Sequence, residues 1–145
     1  MKINIKKLDD RATIPTYGSQ YAAGADLYAC LEEKAVIKPG ETKLIKTGIA
    51  MELPVGYGGF IYARSGLASK RGLAPANKVG VVDCDYRGEI MVALHNHSSE
   101  EQEVLPGERI AQMVIAPYVT AEFDVVEELT DTERGQGGFG STGRK

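Results

Sequence analysis

The stretch GVVDCDYRGEI, residues 80–90, holds the densest group of side chains that could do chemistry. An apolar run leads to Asp83, Asp85 and Tyr86, and Gly88 then allows the chain to turn back. This order predicts a β-hairpin in which Asp83 and Tyr86 point inward and the backbone amides can pair with the edge of a flat base. The alternative is a structural turn, in which Asp favours the left-handed conformation and Tyr packs across the strands.

A second candidate segment is YARSGLA, residues 62–68, which ends an apolar run and begins a short helix. The free N–H groups and the dipole at a helix start favour an anion there. Arg64 would add a bidentate donor and Ser65 a hydroxyl donor. The alternative is that Ser65 caps the helix and Arg64 is solvated.

Two polar residues stand among small or apolar neighbours, Asp26 in AGADLYA (23–29) and Gln112 in ERIAQMVI (108–115). A carboxylate such as Asp26 needs hydrogen bonds or a nearby cation when it is buried, and Mg²⁺ reached directly or through water would supply one. An Asp that faces solvent on an edge strand is the alternative. Gln112 indicates a specific hydrogen bond, either to a ligand or only to a neighbouring backbone group.

The chain ends in RGQGGFGSTGRK, residues 134–145, with five glycines. Such a segment is usually disordered at a chain end. Arg134, Phe139, Ser141 and Thr142 are nevertheless groups that bind phosphates and stack on a base, so the alternative is an arm that orders over a ligand.

Composition limits the classes of function. The 145 residues fit one domain, with 43% hydrophobic and 26% charged residues, as in soluble globular proteins. A net charge of −3 gives no basic surface for nucleic acid or an anionic membrane. The charged start MKINIKKLDD lacks the apolar run of a signal peptide, so we expect a cytoplasmic protein.

The few cysteine and histidine residues give no metal-binding pattern. Cys30 and Cys84 lie far apart without a CxxC motif, and we expect both to be reduced packing residues. His95 and His97 have no further His to join them, so we interpret them as surface loop residues and a poor metal site.

Short alternating runs between Gly and Pro signals predict an all-β protein. Examples are Ile49, Met51 and Leu53, then Ile90, Val92 and Leu94, and the two faces of RIAQMVI (109–115). KPGE (38–41) and LPGE (105–108) predict the same type II turn twice, and 65–72 predicts one short helix capped by Ser65. We therefore expect residues 1–130 to form an antiparallel double sheet of jelly-roll type, followed by a mobile arm at 131–145.

Taken in order, AGADLYA, ARSGLA, GVVDCDYRGE, ERIAQMVI and RGQGGFGSTG resemble the five motifs of the homotrimeric dUTP diphosphatases, the dUTPases. They follow the family order and spacing and cover residues 23–143. The resemblance implies a jelly-roll-like β-barrel whose flexible C-terminal arm closes over the site. It also implies Mg²⁺-dependent hydrolysis of dUTP to dUMP and pyrophosphate, which keeps uracil out of DNA and supplies dUMP for thymidylate synthesis.

The resemblance further implies a role for each matching residue. Asp83 would be the general base that activates water for in-line attack on the α-phosphorus, and Tyr86 the ring beneath the deoxyribose that refuses a 2′-OH. The implied uracil and deoxyribose contacts are Asn77, Gly80, Val82, Asp83, Tyr86, Met91 and Phe139. The implied phosphate contacts are Arg64, Ser65, Gly66, Gln112, Arg134, Gly140, Ser141 and Thr142. Asp26 would hold the water shell of a Mg²⁺ carried mainly by the triphosphate.

Family sites are shared among three subunits, one supplying motifs 1, 2 and 4, a second the hairpin and a third the arm, so a homotrimer with three shared sites is implied. A related family, the dCTP deaminases, uses a Glu on the strand after the hairpin, and Ala93 stands there in this chain. Rival hypotheses for the function are a dUTP-sensing interaction protein and an inactive structural β-trimer. A sensor that had lost catalysis would have a damaged motif 3 or 5, and neither motif is damaged in this chain. An inactive structural trimer leaves the coincident polar residues unexplained.

Overall fold

The structure is a computed structural model that describes residues 1–138. Within them it contains twelve strands and one helix. In chain order these are Asn4–Lys7 (β1), Thr16–Tyr17 (β2), Ala25–Tyr28 (β3), Ala35–Ile37 (β4), Thr42–Lys46 (β5), Ile49–Glu52 (β6), Tyr57–Tyr62 (β7), Ser65–Arg71 (α1), Leu73–Pro75 (β8), Gly80–Val82 (β9), Met91–Asn96 (β10), Gln102–Val104 (β11) and Arg109–Pro117 (β12). That helix is too short and polar to cross a membrane.

The strands form antiparallel ladders. The largest sheet has the order β2-β3-β12-β7-β9, and a second has the order β5-β10-β8, while β1 pairs with β6 and β4 with β11. Apolar side chains from the two larger sheets form one buried cluster, which includes Leu27, Ile45, Leu94 and Ile110. The all-β, antiparallel prediction is confirmed.

The alternation predicted for β10 and the repeated turn are both present. On β10, Val92 and Leu94 are buried while their neighbours are only partly so. In each of the turns 38–41 and 105–108, the fourth N–H donates to the first C=O, at 2.9 and 3.1 Å. The third residue is a glycine with φ 74° in both, as a type II turn requires.

The single described helix lies within the predicted range 65–72 but begins differently. Gly72 has φ 66° and its N–H donates to Ala68 O, so it forms a glycine C-cap. The N-cap is Arg64, without a side-chain capping bond, and Ser65 is already the first helical residue. The predicted cap by Ser65 is therefore wrong, because the chain enters the helix one residue earlier than the serine suggested.

The predicted β-hairpin at 80–90 is also wrong. β9 pairs with β7, and β10 pairs with β5 and β8, so the two expected arms belong to different sheets. Between them lies a loop with a turn in which Tyr86 N–H donates to Asp83 O at 3.2 Å. Each arm buries its apolar side chains against a strand distant in sequence, and that burial outweighs local pairing. His95 lies on β10, not in a loop as predicted.

The last strand ends at Pro117, short of the predicted domain boundary at residue 130. From 118 to 138 the chain has no helix or strand, although it carries large apolar side chains. Val119, Phe123, Val125 and Leu129 are each exposed by more than four fifths of their surface. A single chain therefore leaves an apolar segment uncovered directly after its β-sheets.

Candidate active site

A cavity of about 240 Å³ lies between the end of β7, strand β9 and the start of β10. It is lined by eleven residues, and six of them were predicted to contact uracil or deoxyribose. These six are Asn77, Gly80, Val82, Asp83, Tyr86 and Met91. The predicted motif 3 residues therefore surround one space, even though they do not form a hairpin.

Asn77 faces this cavity because of a tight turn before β9. Lys78 N–H donates to Pro75 O at 3.0 Å, and Lys78 itself has φ 66°. Gly80 pairs with Ile61 of β7, and a Cβ on Gly80 would lie 3.4 Å from Asn77 Nδ2. A Cβ at position 80 would be tightest against Ile61 Cβ, at 3.3 Å, and would touch the Asn77 amide only at ordinary contact distance.

Asp83 and Tyr86 lie at the mouth of the cavity. Both are exposed in the single chain, with 43% of Tyr86 accessible, so neither is buried as inward-pointing residues would be. The loop that carries them is tied to itself, because Arg87 donates to Cys84 O at 2.8 Å. The Asp83 carboxylate is exposed at the opening, where water can reach it.

Cys84, next to Asp83, connects this loop to the start of the C-terminal segment. Its Sγ lies 3.4 Å from Tyr118 Oη. That hydrogen bond is the main reason why the pKa of Tyr118 is raised, with smaller contributions from the nearby Asp83 and Asp85. The other thiol, Cys30, lies in the core, and burial raises its pKa.

A second polar cluster gathers the predicted metal and phosphate residues. Asp26 on β3 lies opposite Gln112 on β12 and is only 8% exposed. Arg64 Nε donates to Asp26 Oδ1 at 2.8 Å, and Arg109 donates to Oδ2 at 3.3 Å. β3 lies between β2 and β12, so the alternative of an edge-strand Asp facing solvent is wrong.

Asp26 is a hard oxygen donor in this cluster, but it is a single carboxylate. Within residues 1–138 no group of three or more His, Cys, Asp or Glu could hold a metal ion. Mg²⁺ prefers to keep several waters and to bind phosphates with one or two carboxylates. The residues present therefore fit a hydrated Mg²⁺ carried by a phosphate ligand, and they do not form a cage of protein ligands.

The Gln112 side chain donates to a neighbouring backbone carbonyl, which is the alternative to a ligand contact that the sequence left open. Its Nε2 donates to Ala63 O at 2.9 Å, at the end of β7. Its Oε1 fills the space beside Gly24, where a Cβ would lie 2.7 Å away. Ser65 and Gly66 follow Arg64 at the open start of α1, and a Cβ on Gly66 would meet nothing within 4 Å.

The cavity and this second cluster are separate in one chain. No residue of the Asp26 cluster lines the cavity, and β7 lies between β12 and β9 in the sheet. Arg134 Nε donates to Gly137 O at 2.8 Å, within its own segment. The predicted contacts Phe139, Gly140, Ser141 and Thr142 lie outside the described residues.

A dUTPase family model matches residues 10–143. The chain belongs to the dUTPase family. Accordingly it is an enzyme that acts on deoxyuridine 5′-triphosphate as a nucleotidohydrolase. The match spans all five motifs, from AGADLYA to RGQGGFGSTG, so the resemblance drawn from those motifs is confirmed.

Relatives in the dUTPase family cover the whole chain. Deoxyuridine 5′-triphosphate nucleotidohydrolase from Nautilia profundicola is 57% identical over 99% of this chain and 100% of its own length. The enzyme of the same name from Syntrophotalea carbinolica is 49% identical over 97% and 96%. A mutant dUTPase of Staphylococcus bacteriophage 80alpha, solved with dUpNHpp, is 30% identical with a TM-score of 0.89, covering 98% of both chains. The predicted jelly-roll-like dUTPase fold is confirmed.

A second solved dUTPase bears on the metal. The mutant enzyme from phage phi11 of S. aureus, described for its coordination of a structural Mg(II) ion, is 27% identical with a TM-score of 0.79. It covers 88% of this chain and 98% of its own. The Mg(II) ion belongs to that phage enzyme.

Two charged residues in the candidate site were not predicted from the sequence. Arg109 pairs with Asp26, and Glu89 lines the cavity beside Tyr86. Both are charged residues directly beside an apolar strand, Arg109 before IAQMVI and Glu89 before IMVAL. A charge in that position is a weak signal for a specific partner.

Proposed function

We propose that this chain hydrolyses dUTP to dUMP and pyrophosphate by water attack on the α-phosphorus, with Asp83 as general base. The observation that carries the proposal is the cavity that joins Asp83 to Asn77 and Tyr86. A general base must lie within hydrogen-bond reach of the water it activates, and Asp83 lies at the mouth where such a water would be. In-line attack then needs the α-phosphorus to be held beside it.

The cavity would select uracil and deoxyribose by size and by hydrogen bonding. Asn77 and the backbone of Gly80 and Val82 would meet the uracil edge, with Met91 beside it. Thymine adds a methyl group, and we propose that the residues around the uracil leave no room for it. Cytosine reverses the donor and acceptor pattern, and each polar group left unpaired would cost about 1–3 kcal/mol. Tyr86 would exclude a 2′-OH.

The second cluster would bind the triphosphate. Arg64, Ser65, Gly66 and Gln112 would contact the phosphates, since a guanidinium and backbone N–H groups are strong donors to phosphate oxygens. Asp26 would contact the water shell of a Mg²⁺ bound mainly by the triphosphate. The ion would neutralise phosphate charge, which is most of what phosphoryl transfer requires from its surroundings.

We further propose that the site is completed in a homotrimer. No residue of the Arg64 cluster lines the cavity of the same chain, and we propose that a nucleotide bridges the cavity of one subunit and the cluster of another. The uncovered apolar side chains at 119–129 support burial of that segment against another copy. The arm, residues 131–145, would come from a third subunit, with Phe139 over the uracil and Arg134, Gly140, Ser141 and Thr142 at the phosphates.

In the cell this activity would keep uracil out of DNA and provide dUMP for thymidylate synthesis, and we propose a cytoplasmic location. The test mixes the protein with Mg²⁺ and, separately, dUTP, dTTP, dCTP and UTP, and follows pyrophosphate release. Rapid release from dUTP alone supports hydrolysis with base and sugar selection. Tight binding of dUTP without release would favour a sensor, and pyrophosphate release from dCTP would reopen the dCTP deaminase hypothesis despite Ala93.

A further inference from the structure

The end of the Tyr86 ring lies directly against Gly88. A Cβ built on Gly88 would be within 2.9 Å of three ring-end atoms, Oη, Cζ and Cε2. Gly88 is not among the glycines with positive φ, so its backbone conformation suits any residue. The lack of a side chain at position 88 is therefore needed for space, and the space is occupied by Tyr86.

A hydrogen bond fixes the same end of the ring. Tyr86 Oη donates to the backbone carbonyl of Glu89 at 3.0 Å. Glu89 is held in turn, because its Oε1 accepts the N–H of Gly48 at 2.9 Å. Gly48 has φ 68° and packs against Cys30 and Ala12, where a Cβ would lie 2.7 and 2.8 Å away. The ring is thus connected through Glu89 to a turn packed on the core.

These restraints matter because solvent lies on the other side of the ring. Tyr86 is 43% exposed, and it lines the cavity at the same time. An exposed aromatic side chain without restraints moves between rotamers on a fast timescale. A ring that swings away from the cavity cannot exclude a group as small as one hydroxyl.

We propose that Gly88 and Glu89 set the position of Tyr86 and thereby determine the selection of deoxyribose over ribose. They are positioning residues, since they act through the Tyr86 ring. The proposal rests on the proposed function, in which Tyr86 excludes the 2′-OH. A methyl group at position 88 would take the place of the ring end, which is the movable partner, so the ring shifts and the fold remains.

The test is Gly88→Ala in the full chain, with Gly18→Ala as the matched control. Gly18 also lacks a positive φ, and a Cβ there would meet nothing within 4 Å. The readout is the ratio of dissociation constants for UMP and dUMP by titration calorimetry, which needs no turnover. We expect the dissociation constant for UMP divided by that for dUMP to fall by about tenfold in Gly88→Ala. A site that discriminates two ligands by one methyl-sized group does so by a factor of about this size. Gly18→Ala should keep the ratio.

A second pair of variants tests whether Glu89 holds the Tyr86 ring in place. This pair also provides the test if Gly88→Ala does not fold. Glu89→Gln keeps an oxygen acceptor for the Gly48 N–H, whereas Glu89→Ala removes it. We expect Glu89→Ala to lose sugar selection and Glu89→Gln to keep it. Equal behaviour of the two, or an unchanged ratio in both Gly88→Ala and Glu89→Ala, overturns the proposal.

The outcome separates this proposal from the proposed function. Pyrophosphate release from dUTP is measured in parallel on the unaltered chain. If the unaltered chain prefers dUMP over UMP but releases no pyrophosphate, the proposed hydrolysis is wrong. The positioning role is then decided by the binding ratios of the Gly88 and Glu89 variants. A chain that hydrolyses dUTP but binds UMP and dUMP equally contradicts the positioning role alone.

Discussion

Gln112 Oε1 lies where it would be 2.7 Å from a Cβ on Gly24, so the two residues share one space. Gly24 has no positive φ, and the constraint on it is the Gln112 side chain. We predict that Gly24→Ala displaces Gln112 from Ala63 O, destabilises the fold by about 1–3 kcal/mol as overpacking does, and lowers dUTP turnover by at least about tenfold. Thermal unfolding and pyrophosphate release measure both effects.

The control for this change is again Gly18→Ala, which adds the same methyl group in open space. It should alter neither stability nor turnover by a measurable amount. If Gly24→Ala were as active as Gly18→Ala, Gln112 would have only the backbone-satisfying role that it shows towards Ala63 O.

Gly66→Ala separates stability from function at the start of α1. A Cβ there meets nothing within 4 Å, and alanine is favoured over glycine in a helix by up to about 1 kcal/mol. We predict an unchanged or slightly raised unfolding temperature. If phosphates approach the Gly66 backbone closely, the methyl group blocks them, and kcat/KM for dUTP falls by about tenfold or more. Full activity would show that position 66 does not contact phosphate.

Asp83→Asn tests the general base. Asp83 is exposed at the cavity mouth, so the amide should leave the fold and nucleotide binding intact. We predict a fall in turnover of about 10²–10⁴-fold, the usual worth of a positioned general base, with dUMP affinity changed little. Asp85→Asn is the control, because Asp85 is an exposed carboxylate of the same loop outside the cavity lining. Equal loss in both variants would indicate a charge effect and not proton transfer.

The sequence predicted local features better than long-range ones. The turns at 38–41 and 105–108 depend on nearest neighbours, and Pro followed by Gly, which takes a positive φ, identifies them. The hairpin at 80–90 failed because its two arms pair with β7 and with β5 and β8, strands that its own residues do not specify.

In the candidate site, too, local features were predicted from the sequence and long-range contacts were not. Asp83 and Tyr86 were predicted from the contiguous stretch 80–90, and Asn77 from the family resemblance. Arg109 and Glu89 were missed, since their partners Asp26 and Gly48 are reached only through the fold. Spacing along the chain cannot show such contacts, because strand pairing between distant segments decides them.

Removal of residues 134–145 tests the arm. The strands end at Pro117, so the truncated chain should keep its sheets and its unfolding temperature. We predict that turnover falls by about 10²-fold or more, as when donors to a developing charge are removed. A shorter truncation that removes only Arg144 and Lys145 is the control, since no proposed contact lies there. Near-normal kinetics after the longer truncation would mean that the segment is an ordinary disordered tail.

Mixed assemblies test whether sites are shared between subunits. Asp83→Asn damages the cavity, and Gly66→Ala alters the separate phosphate cluster. If one subunit's cavity faces another subunit's cluster, unfolding and refolding the two impaired variants together creates some sites with both halves intact. We predict that the refolded mixture is more active than the average of the two variants refolded separately. Sites made within one chain would show no gain, because each site would then keep its own defect whatever chains surround it.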